Sequence, residues 1–381
     1  MNLKQGRIGY QEALSVVTIA SVVSAVFTTD SEKLYAKGNS AWLSMLISAF
    51  IALIVFELVV YAMRVSKTQS LYAFLCYGLG KQLAAAVALL VSGMLLCCAV
   101  SLLARFTLMV GRFVFPQAGE KTILLYFMLA VLVLVYLGWE GVARTARLFL
   151  WLLVAALVGA LALASYGYEL HRLAPFLGDG FSSMLQNAAS EVLLFLPAMV
   201  GMLIVTRGVH GMKTAGRTGY MAGLIGGIIA ALCQFCVGMT YSYQDLAQMH
   251  SPMFRLTMGF KSAGYFPRLD TLLLFGWVMS AVLAACYYVY TASLMYANVF
   301  AQEDIRPNLA AFTALAGGLA LLSHSGVAWL KAALDFIGRQ GYALLAAPLV
   351  LCAALTIFRA KTADKNDKNK SEPSKEEEKE A

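Results

Sequence analysis

The sequence predicts an all-α polytopic membrane protein with about ten transmembrane helices. The chain has 381 residues, of which 60% are hydrophobic and 13% are charged, and its mean hydropathy is +0.72. Soluble proteins carry roughly 25% charged residues. Apolar runs of about twenty residues, long enough to cross the hydrocarbon core of a bilayer, recur along the chain. Most of the positive charge lies between these runs or in the tail, so the net charge of +8 does not indicate nucleic acid binding.

Three regions follow from the hydropathy pattern: a cytoplasmic N-terminus (1–8), a ten-helix membrane domain (9–358) and a charged C-terminal tail (359–381). The first apolar run lacks a small-x-small cleavage site, so we expect a membrane helix there and no cleavable signal peptide. The tail is rich in Lys and Glu with almost no apolar residues, which predicts disorder. The predicted spans are 9–28, 41–62, 83–108, 123–137, 148–165, 187–205, 220–241, 272–300, 309–322 and 344–358.

Orientation follows from the distribution of Lys and Arg, which are enriched in short cytoplasmic loops of membrane proteins. With the N-terminus inside, the inner segments and the tail hold more Lys and Arg than the outer loops do. An even number of spans then returns the C-terminus to the same side. We therefore predict that both termini are cytoplasmic.

The sixth span contains a carboxylate and a proline, which together indicate a ligand site. A carboxylate inside a membrane span is costly and commonly functional. Pro197 has no N–H, so the carbonyl of Leu193 loses its helical partner, which favours a broken helix beside a cavity. The predicted site includes Glu191, Phe195 and Pro197, with a ligand ammonium, Arg105 or a proton as the partner of Glu191. The alternative is a proline-kinked packing helix with Glu191 at the membrane edge.

The first span is unusually polar, because small hydroxyl residues recur along it. Such hydroxyls can satisfy freed backbone groups or contact a ligand carboxylate. We therefore assign Thr18, Ser21 and Ser24 to the ligand site. Close helix packing through small residues is the alternative, and it is the better interpretation for Ser15.

The eighth span places three tyrosines in the middle of the membrane, too deep for all of them to be interfacial residues. A buried tyrosine hydroxyl needs a hydrogen-bond partner, so these side chains either line a cavity or pack in the core. We assign Tyr287 to the predicted site. The other two tyrosines are Tyr288 and Tyr290.

Two further charged residues lie in apolar segments. Glu57 is seven residues before Arg64, and we expect it to snorkel to the inner face or to pair with a cation there. Arg105 lies near the outer end of the third span, where it either snorkels outward or pairs with an acid in the membrane.

No catalytic or metal-binding motif is recognisable in the sequence. It contains no phosphate-binding loop, no GxSxG motif and no HExxH motif. Cys233 and Cys236 have the spacing of a redox or metal site, but they lie within an apolar span without His or acidic neighbours. We therefore predict that the protein is not an enzyme and has no cofactor.

Several segments, in this order and spacing, resemble the spore germination receptor B subunits. These endospore germination permeases belong to the amino acid–polyamine–organocation superfamily. The resemblance covers roughly residues 5–358. It rests on residues 39–44 (NSAWLS), 138–147 (GWEGVARTAR), 173–180 (LAPFLGDG) and 266–270 (FPRLD), the last followed by Trp277.

The resemblance implies ten helices in an inverted five-plus-five repeat of the leucine-transporter type, with helices one and six broken at a central site. It also implies a subunit that senses a small nutrient germinant, such as an amino acid, in the spore inner membrane. The implied partners are an A-type subunit and a C-type lipoprotein subunit. One departure concerns the first helix, where residues 20–25 (ASVVSA) contain no glycine, although the family usually has a glycine-rich break there. The rival function is a proton- or sodium-coupled amino acid transporter, and a membrane scaffold is a third.

Overall fold

The computed structural model describes residues 8–27, 37–176, 178, 180–249, 251–258, 269–324 and 328–371, and helices dominate this part of the chain. Short 3-10 turns occupy Gly38–Ser40, Ser165–Gly167, Leu170–Leu173 and Thr206–Val209. The α-helices are α1 (Tyr10–Phe27), α2 (Ala41–Val65), α3 (Leu71–Leu79), α4 (Lys81–Phe113), α5 (Glu120–Tyr136), α6 (Gly138–Ala164), α7 (Phe181–Ile204), α8 (Met212–Thr240), α9 (Tyr243–Gln248), α10 (Pro252–Met258), α11 (Leu269–Val299), α12 (Arg306–His324) and α13 (Ala328–Ser371).

Each of the ten long helices of the described chain overlaps one of the ten predicted spans. Eight of them are long and apolar enough to cross a membrane by length and composition. The other two are α5, with 17 residues, and α12, with 19 residues. At a rise of about 1.5 Å per residue these two helices are close to the roughly 30 Å thickness of the hydrocarbon core.

The long helices form two sets of five with matching contacts. The first set is α1, α2, α4, α5 and α6, and the second is α7, α8, α11, α12 and α13. In each set a short helical segment follows the second long helix: α3 in the first set, and α9 with α10 in the second. The first helix of each set makes equivalent contacts: α1 packs against α8 and α6, and α7 packs against α2 and α13. The third helix of each set does so too, since α4 packs against α12 and α11 packs against α5. Five crossings per set place the second set upside down in the membrane, which confirms the predicted inverted repeat.

Neither α1 nor α7 is interrupted, so the predicted breaks in helices one and six are wrong. α7 is helical from Phe181 to Ile204 with Pro197 inside it, and α1 is helical over its whole length. Proline is tolerated within membrane helices because neighbouring groups compensate for the lost hydrogen bond. The absence of glycine from residues 20–25 is consistent with a continuous first helix.

Several boundaries differ from the predicted ones, since α7 begins at Phe181, α8 at Met212 and α13 at Ala328, where the predicted spans begin at 187, 220 and 344. The predicted spans leave 138–147 as a loop, but in the structure this segment forms the first turns of α6. The chain turns sharply after α5 at Gly138, which has a positive φ of 84°. Glu140 and Arg144 then form an i,i+4 ion pair on the surface of that helix. The last helix continues beyond the predicted span to Ser371, into the first part of the charged tail.

Glycines allow α8 to approach its neighbours closely. A Cβ atom on Gly223 would lie 2.7 Å from the sulfur of Met199 in α7. A Cβ atom on Gly226 would lie 2.8 Å from Cβ of Ser21 in α1. A Cβ atom on Gly227 would overlap Cβ of Ala49 in α2. These glycines are therefore packing residues, and they hold α8 against α1, α2 and α7.

Candidate functional site

The hydroxyl residues predicted on α1 are all buried, and they face different neighbours. The Ser24 Oγ lies 2.9 Å from the hydroxyl oxygen of Tyr288 on α11. Ser21 packs against Gly226 of α8. The hydroxyls of Thr18 and Ser21 make no hydrogen bond to any residue that the structure describes. Two polar atoms in the middle of α1 are thus available to a ligand or a water molecule.

The predicted tyrosine on α11 contacts α7 next to its proline. The hydroxyl of Tyr287 donates a 2.6 Å hydrogen bond to the carbonyl oxygen of Ala198. The side chain is fully buried, and its ring lies 6.0 Å from that of Trp139. Tyr290 stacks on the same tryptophan with a centroid distance of 5.6 Å. In this structure, then, the three tyrosines of the eighth span belong to the packed core.

Glu191 forms a buried ion pair with Lys37, a residue that the sequence placed in an outer loop. Each of these two residues is only 4% exposed. The Lys37 ammonium donates to Oε1 of Glu191, and Oε2 has no hydrogen-bond partner among the described residues. Glu191 is therefore buried in this structure and is not exposed to solvent at the end of its helix. Lys37 was not among the expected partners, because 154 residues separate it from Glu191.

The structure also places Glu57 and Phe195, two further residues of the predicted spans. Glu57 pairs with Arg64 at 3.7 Å on the exposed surface, which confirms the expected pairing with an inner cation. Phe195 is fully buried in α7 on the turn that follows Glu191. The side chains of residues 266–270, one of the motif segments, lie outside the described residues.

An aromatic cluster closes the bundle at the end where α1 finishes, on the predicted outer side. The ring of Phe27 lies 4.8 Å from that of Trp277 and 5.6 Å from that of Phe106. Phe254 of α10 covers these rings, 5.9 Å from Trp277 and 4.7 Å from Phe113. The short helix α10 is thus packed against the aromatic rings near the end of α1.

The opposite end of the bundle is closed by contacts around the start of α1. The amide of Ile8 donates to the carbonyl of Gly208 at 2.9 Å. Gly208 also packs against Trp139, because a Cβ atom there would lie 2.9 Å from the indole ring. Thr206 donates to the carbonyl of Gln69 at 2.5 Å, which ties the end of α7 to the turn before α3. Both ends of the central helices are therefore covered by packed side chains.

Two small cavities on the predicted outer side meet at Gln234 of α8. One cavity lies between α1, α8 and α10, and the other lies between the Gly38–Ser40 turn, α8 and α9. Each is about the size of one water molecule. Gln234 is 6% exposed, and its Oε1 has no hydrogen-bond partner among the described residues. Burial raises the pKa of Tyr241 in the second cavity, and the charge of Arg255 partly offsets this effect.

Sequence reasoning missed three residues that the structure makes prominent. The predicted site includes none of Lys37, Tyr288 and Gln234, and Lys37 lies in the predicted outer loop between the first two spans. A polar side chain inside an apolar span is the signal in the sequence that points to Gln234. Within the described residues, no group of three or more His, Cys, Asp or Glu side chains is arranged to hold a metal ion.

Comparisons with known proteins agree with this architecture. The family model described as "Spore germination protein" matches residues 7–322. The chain is similar to the Spore germination protein A2 of Bacillus subtilis (strain 168), with 22% identity over 285 residues that make up 74% of this chain and 78% of that protein.

Solved transporter structures share the fold at low sequence identity. A Na⁺-coupled sialic acid symporter matches with a TM-score of 0.63 and 14% identity, over 90% of this chain and 79% of the symporter. Mhp1, a nucleobase-cation-symport-1 family transporter in a closed conformation, matches with a TM-score of 0.63 and 10% identity, over 95% and 94%. The manganese transporter of Eremococcus coleocola matches with a TM-score of 0.62 and 12% identity, over 89% and 78%. The fold is therefore that of the leucine-transporter type, and the chain belongs to the family of spore germination proteins.

Proposed function

We propose that this protein is the nutrient-sensing membrane subunit of a spore germination receptor. In this proposal a small amino-acid-like germinant binds between α1 and α7. The observation that carries the proposal is the buried carboxylate of Glu191 in the middle of α7, in a chain that belongs to a germination family. A buried carboxylate is retained where it has a partner or a task, because an unpaired charge in this environment is expensive.

The proposed ligand contacts come from side chains, because α1 and α7 are continuous helices. Glu191 supplies negative charge for a ligand ammonium group. Thr18 and Ser21 supply hydroxyls that lack partners among the described residues, and both can donate to a ligand carboxylate. The remaining proposed lining residues are Ser24, Phe195, Pro197 and Tyr287.

Signalling requires that the germinant bind one conformation more tightly than another. Both ends of the central helices are covered in this structure, so a ligand needs a movement of α10 or of the Thr206–Val209 turn to enter. We propose that an A-type subunit and a C-type lipoprotein subunit respond to this movement in the spore inner membrane. Affinity capture of the tagged protein from spore membranes, followed by mass spectrometry, tests these partners.

Ligand binding is tested by a thermal-shift screen of the purified protein against the common amino acids. A ligand that binds the folded state raises the melting temperature by mass action. At a ligand concentration of 100 times its Kd, the added free energy of unfolding is about 2.7 kcal/mol. We expect a shift with one or a few amino acids, and we expect Glu191→Gln to weaken it. A screen without any shift contradicts the proposal.

The second candidate function is proton- or sodium-coupled amino acid transport, which is favoured by the fold that the chain shares with solved transporters. Uptake of the radiolabelled ligand into proteoliposomes separates the two. A sensor binds the ligand without net accumulation, whereas a coupled transporter accumulates it in response to an imposed proton or sodium gradient.

A further inference from the structure

The ion pair between Lys37 and Glu191 joins the two halves of the inverted repeat. Lys37 lies in the connection between α1 and α2, next to the Gly38–Ser40 turn, and Glu191 lies in the middle of α7. Both side chains are almost completely removed from solvent. Among the described residues each charge is paired with the other, and loss of either member would leave a buried charge without its counter-ion.

The connection that carries Lys37 is held firmly against the connection before α7. The Ser40 hydroxyl donates to the carbonyl of Lys37 at 2.7 Å, and the Asn39 amide donates to the carbonyl of Ala174. Gly178 has a positive φ of 54°, and a Cβ atom there would lie 2.9 Å from the Lys37 carbonyl oxygen. The connection between α1 and α2 is thus in direct contact with the connection between α6 and α7.

The carboxylate of Glu191 is only partly satisfied by this lysine. A carboxylate can accept about four hydrogen bonds, but Oε2 of Glu191 is buried and has no partner among the described residues. A ligand ammonium group that approaches from the interior of the bundle would donate to Oε2, the oxygen that Lys37 leaves without a partner. The pair is therefore a contact that a suitable ligand can outcompete.

We propose that Lys37 is a tethered counter-ion, which occupies Glu191 when no germinant is bound and is displaced by the ammonium group of the germinant. This inference rests on the proposed function and assigns Lys37 a role in specificity. Exchange of one ammonium for another keeps Glu191 paired in both states, so neither state contains an isolated buried charge. The released Lys37 pairs with the ligand carboxylate or moves outward with its connection, which gives the ligand a preference for one conformation.

The test compares ligand binding by the wild type and by Lys37→Met, which keeps the aliphatic stem and removes the charge. The probes are the amino acids that shift the wild-type melting temperature, each with its decarboxylated amine. Removal of a tethered competitor should lower the half-maximal concentration of the amine at least tenfold, and Lys37→Arg should not lower it. Lys121→Met, at an exposed lysine of α5, is the control and should leave binding unchanged.

A lysine with a purely structural role gives the opposite result, because its removal would leave the half-maximal concentration unchanged or higher. If Lys37→Met is not produced, the charge-swapped pair Lys37→Glu with Glu191→Lys decides the question. Ammonium binding should then be lost from a protein of near-normal abundance, whereas retained binding overturns the inference. If the wild type binds amino acids but Lys37→Met binds the amine no more tightly, only the inference about Lys37 is contradicted. If the wild type binds no amino acid, the proposed function is contradicted as well.

Discussion

The hydroxyl of Tyr287 donates its hydrogen bond to the carbonyl of Ala198, immediately after the proline of α7, at a distance of 2.6 Å. The same hydroxyl fills the space beside Gly201, one turn further along that helix, where a Cβ atom would lie 2.6 Å away. One side chain of α11 thus fixes both the position and the close packing of α7. The contact couples two helices that each contribute to the proposed site.

Gly201→Ala should destabilise the protein, because the added methyl group overlaps the Tyr287 hydroxyl. Overpacking of this kind costs about 1–3 kcal/mol. Tyr287→Phe alone should cost about 1 kcal/mol, and the double variant should be more stable than the sum of the two changes predicts. Melting temperatures in detergent measure the coupling, and strict additivity would show that the two residues do not interact.

Ser24→Ala should leave the buried hydroxyl of Tyr288 without this hydrogen bond between α1 and α11. A buried polar group without a partner costs about 1–3 kcal/mol, so the melting temperature should fall. Tyr288→Phe in the Ser24→Ala background removes the orphaned hydroxyl and should recover part of the loss. A double variant that is less stable than Ser24→Ala would contradict this account.

Pro197→Ala supplies an N–H to the carbonyl of Leu193 and should stiffen α7. Proline inside a helix costs about 3 kcal/mol, although neighbouring groups reduce that cost in this continuous helix. We expect normal or higher protein abundance and a weaker germination response in spores. An unchanged dose dependence would show that Pro197 is only a packing residue.

Gln234→Leu should maintain or raise the melting temperature, because it removes a buried amide oxygen that has no partner among the described residues. Replacing an unsatisfied polar group by an apolar one of similar shape is close to neutral or stabilising. Gln234→Glu is the matched comparison and should be destabilising, since it introduces a charge at the same place. A clear loss of stability in Gln234→Leu would indicate that the amide has a required partner.

A cysteine at Ser371 should resist an impermeant thiol reagent in intact cells, because the Lys and Arg distribution predicts that the C-terminus is cytoplasmic. A cysteine at Tyr166, which is 97% exposed between α6 and α7, is the control and should be labelled from outside. Both variants need a background in which the reactive native cysteines are replaced. Labelling at residue 371 with protection at residue 166 would reverse the topology.

The sequence by itself determined the fold class, the ten helices and the family, because these depend on local properties. Apolar runs of membrane-spanning length, charged loops and short motifs are all visible within a few tens of residues. It also identified Glu191 as a residue that needs a partner, since the cost of a carboxylate in an apolar span does not depend on the neighbours.

Only the tertiary structure decided what these residues contact. Lys37 and Glu191 are 154 residues apart in sequence, and Ser24 and Tyr288 are 264 residues apart, so no local pattern relates either pair. The continuity of α7 through Pro197 was likewise decided by its surroundings: a proline removes one hydrogen bond locally, but packing against α2 and α8 holds the helix together on both sides of it. Long-range packing energies, which a single sequence does not display, select among partners that are equally plausible in the sequence.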